Sequence, residues 1–309
     1  WVDNCCVLAC GTAPVLPKKT PTQTVPPTCY QELYKSCCRP AIGLNTMFPT
    51  DNIINPFCKI PSIRSDPHFV AGNGMRYDFM GKAGETYCLF SDETLHMNMH
   101  MIGVKSNPLR KATWMDAISI MYFPYYNITI SAESPEGTPF TAAHGTITVN
   151  GKTMKSQKLS TMVRWHGLTV QRRKTRVFVS IEGLVELEVE VVRAAFWKGE
   201  DGPGQNYLNF KVVSLNATDN VHGVLGQTFR ASFDRTEKDV AGKNGEGVIE
   251  GSMADYIASD ILKADCRVSQ FLGAKHSWSD AAVFEMGPLR SWVGEAGGDS
   301  NYAHDELME

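Results

Sequence analysis

Beyond residue 58 the 309-residue chain is almost without cysteine. Cys88 and Cys266 are the only two there, while Cys5, Cys6, Cys10, Cys29, Cys37, Cys38 and Cys58 crowd the start. No C-x-x-C occurs, and Cys5-Cys6 and Cys37-Cys38 are adjacent, so the spacing of a zinc site is missing. Disulfides are the expected use, and an odd count of nine leaves one thiol free or paired with another chain. No apolar run approaches the roughly 18 residues that a membrane-spanning helix needs. An excess of either charge is lacking too: 30 Lys and Arg stand against 33 Asp and Glu, a net −3 that gives nucleic acid no footing as a main partner. There is no nucleophile elbow, Cys–His signature or metalloprotease helix. Gly72-Asn73-Gly74 and Gly81-x-x-Gly84 are turn glycines with no helix after them, so they make no phosphate loop. The reading is therefore of a non-enzyme with no cofactor.

What is present divides the chain in three. Residues 1–60 form a Cys- and Pro-rich arm, in which Thr12 to Thr28 carries Pro14, Pro17, Pro21, Pro26 and Pro27 among threonines. That composition favours an extended polyproline-type chain. Residues 61–273 have the patterns of strands. Leu95, Met97, Met99 and Met101 alternate with His96, Asn98 and His100. Val185, Leu187, Val189 and Val191 alternate with Glu186, Glu188 and Glu190, which read as a solvated face. Asn150-Gly151 marks a two-residue hairpin, Tyr207 to Leu215 a further strand, and Met253 to Ala264 the one helical pattern. Lys and Arg between Arg164 and Arg176 read as a solvated hairpin tip. Residues 274–309 are a Gly-rich tail, acidic towards its end. The expectation is a mainly β protein, an antiparallel β-sandwich with a disulfide-rich N-terminal arm.

Few residues offer chemistry. His96 and His100 lie on one strand face, but positions i and i+4 of a strand are about 13 Å apart, too far to share one copper ion. Asp66 and His68, which flank Pro67, are the candidates for a metal or hydrogen-bond clamp; the alternative is a turn whose side chains satisfy nearby backbone. Asn127-Ile128-Thr129 and Asn216-Ala217-Thr218 are acceptor sequons for N-linked glycan. His304-Asp305-Glu306-Leu307 is followed by Met308 and Glu309, whereas retention signals are read at the extreme C-terminus. A chain starting at Trp1 is compatible with a removed signal peptide.

Two sets of residues go beyond a generic β pattern. Ser65-Asp66-Pro67-His68-Phe69, Gly72-Asn73-Gly74 and Tyr77-Asp78-Phe79-Met80-Gly81 together resemble the opening of von Willebrand factor type D domains. Val221-His222-Gly223-Val224-Leu225-Gly226-Gln227-Thr228-Phe229-Arg230 resembles the signature of the plant root-cap family, also described as late-embryogenesis-related. Tyr87 to Asp92, Leu95 to Gly103 and Asp265 to Phe271 agree with it, in the family's order over about residues 60–272. The resemblance implies a secreted von Willebrand D-like β domain and places Cys88 and Cys266 each beside a family motif. As the only cysteines outside the arm, they are expected to be joined. Leu225-Gly226-Gln227-Thr228-Phe229 departs from the D-domain pattern in lacking its cysteine, and Arg230 and Arg235 follow, which argues against a calcium site in that loop.

The leading expectation is a secreted, extracellular-matrix or cell-wall structural glycoprotein that associates with itself or its neighbours through the arm, fibrils included. One alternative is a wall or mucilage polysaccharide-binding module using Trp114, Tyr122, Tyr125, Tyr126 and Trp165. The other is a secreted enzyme with an unrecognised site.

Overall fold

The computed structural model describes residues 60–275 apart from 108, 135–143, 155–159, 166 and 195–201. The expected arm and tail lie outside the described residues, as does the reading of Thr12 to Thr28. What is described is built of strands and short 3₁₀ turns. β1 (Ser62–Arg64), β2 (His68–Val70) and β3 (Arg76–Asp78) open the chain, followed by β4 (Thr86–Ser91), β5 (Leu95–Ile102), β6 (Trp114–Tyr122) and β7 (Tyr126–Ser131). β8 (Thr146–Val149), β9 (Lys152–Thr153), β10 (Ser160–Trp165), β11 (Leu168–Arg173), β12 (Arg176–Ile181), β13 (Val185–Val192) and β14 (Tyr207–Leu215) come next, and β15 (Ile257–Ala258) closes the series.

Among the described residues all pairings are antiparallel and fall into two sheets. An eight-stranded sheet runs β10-β11-β12-β13-β14-β1-β2-β3, and a seven-stranded sheet runs β15-β4-β5-β6-β7-β8-β9. The period-2 patterns explain the burial. Leu95, Met97, Met99 and Met101 from one sheet and Val185, Leu187, Val189 and Val191 from the other all enter one shared apolar core. The Asn150-Gly151 turn has positive φ at both residues, as a tight hairpin between β8 and β9 requires.

Three readings of side chains and one of secondary structure change. Glu188 is not solvated: it lies buried on β13, 3.2 Å from Lys211 on β14 and 3.5 Å from Arg176 on β12, so strand register supplies its counter-charges. His96 and Asn98 are buried as fully as the methionines they alternate with. In the basic hairpin Lys174 is exposed at the turn, but Arg172 points inward and donates to the carbonyls of His144 and Gly145. Burial pushes its guanidinium down to about 10. Finally, Met253 to Ala264 is not a helix. A 3₁₀ turn, Met253–Tyr256, starts on a capping box between Ser252 and Asp255, and then Ile257 and Ala258 pair with Tyr87 and Thr86.

Candidate functional site

The chemistry-bearing residues collect along one seam, where the turn-rich segment after β14 folds back over β4. Residues 221–225 run beside that strand. Ser91 and His222 exchange both backbone hydrogen bonds at 2.7 Å, and the N–H groups of Val224 and Leu225 donate to Cys88 and Leu89. Gly223, at φ +106°, makes the approach feasible, because a Cβ there would stand 2.6 Å from the Leu89 carbonyl oxygen. The 3₁₀ turn Gly226–Phe229 then buries all four of its residues. Thr228 Oγ1 accepts from the Gly72 N–H, and Tyr77 donates to the Val224 carbonyl, tying this turn to the opening strands.

At the far end of the seam Cys88 on β4 is disulfide-bonded to Cys266. Around that bond lies a closed polar network. His96 Nε2 is 2.8 Å from Asn98 Oδ1 and 3.5 Å from Cys88 Sγ, and its Nδ1 is 2.9 Å from Ser91 Oγ. Asn98 Nδ2 faces three backbone carbonyls, those of Asp260, Ile261 and Lys263, at 3.4, 3.0 and 2.6 Å. An amide nitrogen among three acceptors fixes Oδ1 as the atom facing His96, so the imidazole carries its proton on Nε2 and accepts from Ser91 at Nδ1. Burial holds His96 neutral, its pKa down at about 4.

Residues 209–271 match the family model described as Root cap. Over that segment the chain is similar to the root-cap family. A comparison of the whole chain with curated proteins finds no match. The root-cap segment thus begins within β14, supplies the signature turn, and ends at Phe271, whose ring packs 5.6 Å from that of His96.

Among the described residues, Cys88, His96 and Cys266 bring their ligand atoms within 4.8 Å of one another, the spacing a metal site would need. They do not fit an ion as they stand: the two sulfurs are bonded together and the nearest imidazole nitrogen is a donor to Asn98. Ser91–His96–Asn98 likewise has the order of a hydrolytic triad. Ser91 is fully buried, however, and its Oγ also accepts from the Gln270 N–H, so it is committed to holding the root-cap segment down.

One polar group of the seam reaches the surface. Glu250, its side chain 61% exposed, takes Arg230 Nη1 at 2.6 Å and His222 Nε2 at 3.1 Å. Its backbone is clamped as well, since the Glu250 N–H donates to Gln227 Oε1 and Tyr256 donates to the Glu250 carbonyl. Burial first, then the charge of Arg230, holds the pKa of His222 below its ordinary value. Burial raises Tyr256 far out of reach of ionisation. This cluster can hold a conformation and present one carboxylate.

The other candidates lie elsewhere. His68 is clamped by side chains, not by local backbone: Nδ1 is 2.7 Å from Asp78 and Nε2 is 3.2 Å from Asp66. The two carboxylates occupy opposite edges of the ring and do not converge on one point, which suits a hydrogen-bond clamp and not an ion. Asn216 is exposed just past β14, with Nδ2 donating to the Gly183 carbonyl. Asn127 is half-buried within β7, and its Oδ1 is buried with no hydrogen bond. Of the aromatics considered for polysaccharide binding, Trp114 and Tyr126 are buried and Tyr122 is half-buried. Trp165 belongs to β10, and Tyr125 stands 48% exposed at the β6–β7 turn. Sequence reasoning missed the Asn98 carbonyl cage and the Glu250 cluster altogether. The signal available for the second was the signature itself, which contains both His222 and Arg230.

Proposed function

We propose that the protein is a secreted structural glycoprotein of the extracellular matrix or cell wall, without catalytic activity, whose β body is a von Willebrand D-like module and whose arm links it to neighbours. The observation that carries this reading is the Cys88–Cys266 bond, which closes a separation of 178 residues in an otherwise cysteine-poor body. Such bonds persist in oxidising compartments, and the seven arm cysteines, an odd number, cannot all pair within one arm, which leaves at least one for a neighbouring chain. The polar seam supports the reading as well, because its buried groups are spent on one another. Asn216, exposed at a turn, is the better placed of the two glycan acceptors. The test is electrophoresis of native material with and without reductant. Covalent oligomers that collapse to one band support the arm's role, and a single band in both lanes contradicts it.

A second reading rests on the β6–β7 turn. There the exposed Tyr125 ring lies 5.4 Å from that of half-buried Tyr122 and offers an apolar face on which a sugar ring could stack. Binding of wall or mucilage polysaccharide that is lost in Tyr125→Ala would favour it over the structural reading.

A further inference from the structure

The two sheets have four edges, and three of them are protected. β9 and β15 are two residues each, too short to template another strand. β3 is covered by residues 243–245 of the segment after β14: the Gly245 N–H donates to the Asp78 carbonyl, the Met80 N–H donates to the Lys243 carbonyl, and Phe79 bridges Asn244. β10 is different. It is six residues long, ends the eight-stranded sheet, contains no proline and carries one charged residue, Arg164. Among the described residues no backbone group bonds to its outer side.

Which groups point outward follows from the neighbouring ladder. The Glu182 N–H donates to the Gly167 carbonyl, which makes Leu168 and Ile181 a non-hydrogen-bonded pair between β11 and β12. Leu168 therefore turns its own N–H and C=O towards β10, where its partner is Trp165. By alternation Thr161, Val163 and Trp165 bond to β11, and Ser160, Met162 and Arg164 present their N–H and C=O groups to the free edge. Three outward residues spaced by two are self-complementary about a two-fold axis. Antiparallel pairing of two such edges sets Met162 of one copy opposite Met162 of the other and Ser160 opposite Arg164.

We propose that the β10 edge is an interaction surface whose occupant is β10 of a second copy, joining two eight-stranded sheets into one. The arm's Thr12 to Thr28 is a poorer occupant, because its five prolines cannot donate to a ladder. The proposal rests on the self-associating reading but uses a contact separate from the arm's cysteines, so the two fail separately.

The test uses the full chain. Sedimentation velocity reads non-covalent dimers, and non-reducing electrophoresis of the same samples reads arm cross-links. Met162→Pro removes an outward N–H and none of the β10–β11 bonds, so it is expected to fold. Met162→Lys sets two ammonium groups opposite each other and serves where the proline variant melts early. Both are expected to abolish the concentration-dependent dimer while the pattern of covalent bands stays as in the wild type. In the wild type, hydrogen exchange over residues 160–165 is expected to slow roughly tenfold or more as protein concentration rises through the dimerisation range. A wild type that sediments as a monomer at every concentration, folded variants that associate as the wild type does, or edge amides whose exchange ignores concentration would each overturn the proposal.

Discussion

The eight-stranded sheet and the root-cap segment are stabilised in different ways. In β11 to β13 neighbouring strands are close in sequence, their apolar residues recur every second position, and each ladder is extended by a short turn. The segment after β14 has short 3₁₀ turns and one two-residue strand. It is held instead by contacts of long sequence separation: one disulfide to β4, an amide among three carbonyls, and a glycine pressed against a carbonyl oxygen. The first region tolerates change wherever alternation survives. The second depends on single atoms, and removing one should release the segment while the sheet stays intact.

The largest effect is expected from the disulfide. In the chain-entropy picture closing a loop of 178 residues contributes about 5 kcal/mol. The double variant Cys88→Ala, Cys266→Ala should lose most of that in denaturant titration, and a loss under about 1 kcal/mol would mean the seam holds without it. Next comes Asn98→Ala, which strands the buried His96 Nε2–H and removes the amide that ties β5 to the Ile261 and Lys263 carbonyls. A cost of roughly 3–5 kcal/mol is expected from such buried groups, measured by the same titration.

The acid side of the stability profile should report His96. Its folded-state pKa of about 4 lies below the ordinary 6.5, so the unfolded chain binds the extra proton between these values. The contribution is complete above pH 6.5 and is lost as pH falls towards 4, on the order of 3 kcal/mol. His222, shifted the same way, adds to that slope. His100 opposes it, because its hydrogen bond to Asp116 raises its pKa and its stabilisation fades as pH rises. Thermal melts of His96→Gln should show a flatter slope between pH 6.5 and 4 than the wild type; an unchanged slope would assign the acid sensitivity elsewhere. The smallest effect belongs to Glu250→Gln. Its ion pair with Arg230 and hydrogen bond with His222, exposed on the Glu250 side, contribute under about 1 kcal/mol, and salt should weaken the ion pair.

What the sequence made legible divides along the same line. Period-2 alternation identified β5 and β13 and their inward faces, and Asn150-Gly151 marked the β8–β9 turn, because these signals are local. Alternation says which residues share a face but not whether that face is covered, so the burial of His96, Asn98 and Glu188 could not be read from it. Lys211 answers Glu188 across a strand pair, a matter of register 23 residues apart. The helical spacing read from Met253 to Ala264 was overridden after one 3₁₀ turn, because Ile257 and Ala258 pair with β4. Asn98 and the carbonyls it faces are more than 160 residues apart, and no spacing rule connects an amide to a backbone cage at that distance.

Hydrogen exchange of the full chain, read by mass after digestion, tests the latch most directly when the wild type is compared with the Cys88→Ala, Cys266→Ala variant. Amides from Val221 to Phe271 should lose protection in the variant while those of β11, β12 and β13 keep theirs. Protection lost by both regions together, or by neither, would contradict a segment held to β4 by its own bond and its own polar seam.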